Sequence, residues 1–134
     1  MTTISIRYEG SYHCKAIHEP SNAELTTDLP PDNGGRGEYF SPTDLTAASL
    51  GSCILTIMAK TAERLHLDIS EVVVTVDKEM ATSPDRRIKS LKTVIKMPSS
   101  LSGKERKVLE KTAMACPMHR TLNGAIDMPI EFKY

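Results

Sequence analysis

Apolar and polar positions alternate at both ends of the chain, and a long run of apolar and small residues separates them. Thr3–Glu9 places Ile4, Ile6 and Tyr8 on one face at a period of two, which predicts a strand. Gly10-Ser11 reads as a turn into a second strand over Tyr12–Ile17, and Glu24–Leu29 reads as a third. Pro30–Gly37, PPDNGGRG, is dense in turn formers and predicts a loop.

The clearest helix starts at Ser41. Ser41 suits the N-cap, Pro42 the first helical position, and Asp44 the place from which an acidic side chain reaches back to the cap amide. The helical pattern then runs to Leu67, interrupted only by Gly51. From Leu45 to Ala59 it is uncharged on every side, which predicts a helix in the middle of the protein and not on its surface. Ala47, Ala48, Ser49, Gly51 and Ser52 are small enough for another backbone to approach closely. Cys53 falls mid-helix.

A hairpin is predicted next. Val72, Val74 and Val76 alternate with Val73, Thr75 and Asp77, and Ser83-Pro84-Asp85 turns the chain. The return strand carries Leu91, Thr93, Ile95 and Met97 on one face; Ile88 is out of phase, which predicts a bulge near Ser90. Ser102 and Glu105 form a capping box for a second long helix, whose inner face takes Val108, Leu109, Thr112, Ala113 and Cys116. Pro117 ends or kinks it, a short helix follows over Met118–Ala125, and Met128, Ile130, Phe132 and Tyr134 alternate as a final strand. The order βββ–α–ββ–α(α)–β predicts one α+β domain over residues 1–134, an antiparallel or mixed sheet wrapped around a central helix.

Composition narrows the function classes. Lys+Arg and Asp+Glu balance at 17 each, which argues against a nucleic-acid or anionic-membrane surface. The uncharged run is too short to span a bilayer. The opening MTTISIRYEG has no charged leader followed by an apolar stretch, so a reducing, cytoplasmic setting is expected. Three widely spaced cysteines, Cys14, Cys53 and Cys116, cannot form an all-paired disulfide framework.

Free thiols are either packing groups or reactive ones. For Cys53, little help toward the thiolate comes from the dipole in mid-helix, so a cation must be brought to it. Arg36, between Gly35 and Gly37, is the nearest candidate in sequence, and Asp44 could hold it through a carboxylate–guanidinium pair or act purely as a helix cap. For Cys116, two readings stand. Pro117 can start the following helix and make Cys116 its N-cap, where free amides favour a thiolate, or Cys116 completes the apolar face before it. Together the two cysteines offer an attacking and a resolving thiol, if the fold unites them. Cys116 and His119 make a C-x-x-H, but the other nearby pair, His13-Cys14, is poorly spaced for a shared metal site, so no metal is expected. Arg120 reads as an exposed cation or a lid. No phosphate-cradling glycine motif occurs.

GEYFSPTDLTAASLGSC and ACPMHRTLNGAI resemble the two motifs of the OsmC/Ohr proteins, at the family's separation and in its order of elements. The resemblance implies an intertwined homodimer and a thiol-dependent peroxidase, with Cys53 attacking organic hydroperoxides and Cys116 resolving the sulfenic acid. It further implies a dithiol reductant such as a lipoyl group and no cofactor or metal. The wording SPTDL and CPMHRTL is closest to the OsmC-like branch. The family's activating Glu directly follows the Pro; here Thr43 stands there and Asp44 comes one residue later, turned by ~100° on a helix. The alternative on the same fold is a redox-sensing or apolar-ligand-binding protein with little turnover.

Overall fold

The structure, a computed structural model, describes all residues 1–134. Its contacts divide the chain into two units, Met1–Thr46 and Ala47–Tyr134.

The first unit is a three-stranded antiparallel sheet in the order β1-β2-β3: β1 (Ile4–Gly10), β2 (His13–His18) and β3 (Ala23–Thr27). Ile4 pairs with His18, Ile6 with Ala16 and Tyr8 with Cys14; Ala16 in turn pairs with Leu25 and Cys14 with Thr27. Paired residues share a face, so one side of the sheet is apolar along all three strands. The other side carries Lys15 between Glu9 at 3.8 Å and Glu24 at 3.4 Å. Beyond β3, a loop leaves and returns at Asp28, whose amide donates to the Phe40 carbonyl at 3.1 Å. Asp28 Oδ1 accepts from the Leu29 amide at 2.7 Å and Oδ2 from the Glu38 amide at 2.9 Å, clamping the loop from within. Gly35 is required there, because a Cβ would lie 1.7 Å from the Leu29 carbonyl oxygen.

Helix α1 (Pro42–Arg64) begins as its capping residues dictate. Ser41 Oγ accepts from the Asp44 amide at 3.1 Å, and Asp44 Oδ2 accepts from the Ser41 amide at 2.9 Å, a capping box with Asp in place of Glu.

The second unit holds the core. β4 (Val73–Ala81) and β5 (Arg87–Lys96) form the expected hairpin, and β6 (Ile130–Lys133) lies parallel to β5, so the sheet is mixed. Between β5 and β6 run α2 (Gly103–Met114) and α3 (Pro117–Leu122). The bulge falls where Glu79 and Met80 face Ser90 and Ile88, leaving Lys89 over, one residue from the expected place. Leu91, Thr93, Ile95 and Met97 are buried as their alternation requires. They pack with Leu50, Ile54 and Met58 of α1 and with Leu109 and Ala113 of α2. Gly51 lets α1 lie close against the sheet: a Cβ there would stand 3.1 Å from Val76 Cγ2.

Three expectations need correction. α1 is not enclosed on every side: Ala47, Leu50, Gly51, Ile54, Met58 and Ala62 form one buried stripe, while Ser49, Ser52, Thr56 and Ala59 are exposed. Small residues, not charges, cover its outer side, which is why the sequence reads as apolar throughout. By length and composition α1 could cross a membrane, with a mean hydropathy of 1.3 over its best window, but its large residues Leu50, Ile54 and Met58 are packed into the core instead. In α2 the chain leaves the helix after Met114, and Val108 is exposed, since Leu109 and Ala113 alone complete the contact. The third helix ends at Leu122, short of Ala125, and begins at Pro117.

Candidate functional site

Helix α1, which carries Cys53, and the junction of α2 and α3, which holds Cys116, belong to the same core and bring the thiols together. Both cysteines are free, and Cys116 lies within hydrogen-bonding reach of Cys53. Their surroundings differ. Cys116 is fully buried beside Leu109 and Ala113, whereas Cys53 is only partly buried, on the flank of the same cluster. The α1–α2 packing that sets this proximity includes a contact of 3.5 Å between Thr61 Oγ1 and Thr112 Oγ1.

The local backbone explains each position. Mid-helix at Cys53, Thr56 Oγ1 donates to the carbonyls of Ser52 at 2.9 Å and Cys53 at 3.1 Å, so the hydroxyl satisfies itself on the helix. Cys116 is the N-cap residue of α3 with Pro117 in the first helical position, as expected. Its thiol does not gain the ionised state that position suggests. Burial pushes the Cys116 thiol above its ordinary range, and the hydrogen bond with Cys53 adds to this. The amides of His119 and Met118 face the sulfur and pull the other way, without making a capping hydrogen bond and without winning. Cys116 is therefore the thiol that keeps its proton, in a pair whose other sulfur is the more accessible.

Arg36 and Asp44 each have a partner near them in sequence. Arg36 Nη1 sits 3.4 Å from Glu38 Oε1, two residues along the same loop, with its side chain 75% exposed. Asp44 Oδ2 is engaged with the Ser41 amide, so the capping reading describes it. Sequence reasoning missed Glu38 as the partner of Arg36, although R-x-E within a glycine-rich loop is a visible signal. Near Cys116, His119 donates nothing to a metal set: no group of three ligating side chains gathers around it. Arg120 begins the last turn of α3, its amide donating to the Cys116 carbonyl at 3.0 Å.

The comparisons agree with this architecture. The chain is similar over 98% of its length, and 96% of the other chain's, to a Psychrobacter arcticus protein assigned provisionally to the osmotic stress and detoxification response, with 39% identity and a TM-score of 0.90. The fold is also that of an organic hydroperoxide resistance protein OsmC from Legionella pneumophila (19% identity, TM-score 0.77, covering 100% and 97% of the two chains). A third is the organic hydroperoxide resistance protein OhrB of Bacillus subtilis (16% identity, TM-score 0.73, covering 99% and 98%). Among curated proteins, none matches the sequence. The sequence model described as OsmC-like protein matches residues 35–131, from the loop ahead of α1 into the last strand and across both cysteines; the chain belongs to the OsmC-like family.

Proposed function

We propose that the protein is a thiol-dependent peroxidase that reduces organic hydroperoxides, with Cys53 as the attacking and Cys116 as the resolving thiol. The observation that carries this reading is the contact between a partly accessible Cys53 and a buried, proton-holding Cys116. The hydroperoxide resistance proteins of the same fold add to it.

Cys53, as thiolate, attacks the terminal oxygen of R–O–O–H. The O–O bond breaks, Cys53 becomes a sulfenic acid, and the alkoxide takes a proton to leave as R–OH. Cys116, which keeps its proton, faces the Cys53 sulfur at the point of attack. Cys116 sulfur then bonds to Cys53 sulfur; the Cys116 proton and the sulfenic hydroxyl leave together as water. A dithiol, of which a lipoyl group is one, reduces the disulfide by two exchanges and becomes a disulfide itself. No cofactor enters any step. Such turnover needs a reducing compartment, consistent with a cytoplasmic setting.

Arg36 is the cation we assign to the activation of Cys53, reached by release from Glu38; an exposed pair of this kind is worth little and breaks readily. The functional unit we propose is a homodimer. The outward apolar face of β1–β3 and the small-residue side of α1 are surfaces that a second copy would cover.

The test is consumption of cumene hydroperoxide with dihydrolipoamide as reductant. Turnover is expected for the wild type and none for Cys53→Ser. A Cys53→Ser variant as active as the wild type ends this mechanism. A disulfide that forms without turnover points to redox sensing instead.

A further inference from the structure

His13, Asp28 and Glu38 converge on the polar side of the first sheet. His13 opens β2 and Asp28 follows β3, one step beyond the Cys14–Thr27 pair; the clamped loop returns Glu38 to them. His13 Nε2 lies 3.5 Å from Asp28 Oδ1 and 4.0 Å from Glu38 Oε2, and the three ligand atoms all fall within 4.8 Å of one another. His13 Nε2 is shut off from solvent and makes no hydrogen bond, although it faces two carboxylates. A buried imidazole nitrogen in that position has lost its hydration, and the carboxylates facing it stand at ion-pair distance without closing a hydrogen bond.

We infer that His13, Asp28 and Glu38 form a binding site for a divalent transition-metal ion. Bonds of about 2.0–2.2 Å to imidazole nitrogen and carboxylate oxygen hold neighbouring ligand atoms roughly 3.3–3.6 Å apart in a tetrahedral site, the separation His13 Nε2 and Asp28 Oδ1 already have at 3.5 Å. Glu38, at 4.0 Å from His13 Nε2 and with its side chain 43% exposed, has room to close in. The outer shell is already built. The amides of Leu29 and Glu38 fix both oxygens of Asp28, which is 2% exposed, and Tyr39 stands edge-on to the His13 ring at 5.2 Å. Cys14 is excluded, because strand alternation turns it to the opposite face. The donor set is therefore nitrogen and oxygen only, suited to zinc, manganese or iron(II) and not to a thiolate-seeking ion. Bound there, the ion would tie β2, the end of β3 and the Arg36 loop together.

Titration of the reduced full-length protein with Co²⁺, followed by visible absorption, tests this independently of any peroxidase activity. Expected is one ion per chain, with d–d bands and no thiolate-to-metal charge-transfer band. His13→Gln should abolish the bands, and Glu38→Gln, at an exposed side chain that leaves the fold intact, should weaken binding at least about tenfold, since outer-shell changes alone cost 10–100-fold. Cys14→Ser should bind as the wild type does. Absence of saturable binding, binding unchanged in Glu38→Gln, or a charge-transfer band removed by Cys14→Ser overturns the site.

Discussion

Cys116 holds its proton against Cys53, and the asymmetry of burial between them underlies the roles proposed for the two thiols. The buried thiol is raised by desolvation and by its neighbour, so it is poorly suited to attack and well placed to resolve. Replacing it separates the two half-reactions. In Cys116→Ser, one equivalent of organic hydroperoxide should oxidise Cys53 to a sulfenic acid that persists and is trapped by dimedone, with turnover reduced by at least about a hundredfold. Mass spectrometry of the intact chain reads the adduct directly. An unmodified Cys53 beside full loss of peroxide would assign the chemistry elsewhere.

The same raised thiol makes stability fall in alkali. Cys116 has an ordinary value of 9.0 and Tyr134 one of 10.0, and both are higher in the folded chain. Tyr134 is pushed up to about 12 by burial, then by its hydrogen bond to Glu110. The folded state therefore binds these protons more tightly than the unfolded one, and stability declines as pH climbs above 9 and on through the folded values. Urea denaturation between neutral and strongly alkaline pH should give a shallower decline for Cys116→Ser and for Tyr134→Phe. Identical slopes for wild type and both variants would contradict the assignment.

Much of this was legible in the sequence because period and punctuation agreed. The alternation of Leu91, Thr93, Ile95 and Met97 reported a buried face, and Ser102 with Glu105 reported a helix start that the structure repeats bond for bond. The two thiols could be placed on inward-facing helices, but their meeting depends on how α1 and α2 cross, which no local pattern encodes. The Arg36–Glu38 pair was missed because loop contacts follow from a clamp, Asp28, that looks like any other acidic residue in sequence. The exposed side of α1 was misread because small residues such as Ser49 and Ala59 are compatible with burial and exposure alike.

The activation role proposed for Arg36 and the capping role of Asp44 are distinguished by different readouts. Ser41→Ala or Asp44→Ala removes half of the capping box and should lower stability by about 0.5–2 kcal/mol. Arg36→Ala removes only an exposed ion pair and should change stability by less than about 0.5 kcal/mol. Its effect should instead appear in chemistry, as slower alkylation of Cys53 by iodoacetamide at neutral pH. A Tm loss in Arg36→Ala equal to that in Asp44→Ala, with unchanged Cys53 alkylation, would reverse the two roles.

The outward face of the first sheet sets the last prediction. Ile6 is 65% exposed and Tyr8 64%, and Ile4 and Leu25 continue the apolar side that Ala16 and Cys14 join across the ladder. A chain that leaves such a face in water is prone to association, and self-pairing is the simplest way to cover it. Ile6→Lys places a charge in the middle of that face without touching the Leu50–Ile54–Met58 core. Sedimentation velocity should show a dimer for the wild type and a monomer, or at least about a tenfold weaker dimer, for Ile6→Lys. Circular dichroism of the variant checks that its helices survive. A wild-type protein that sediments as a monomer at all accessible concentrations removes the second copy from the proposed enzyme.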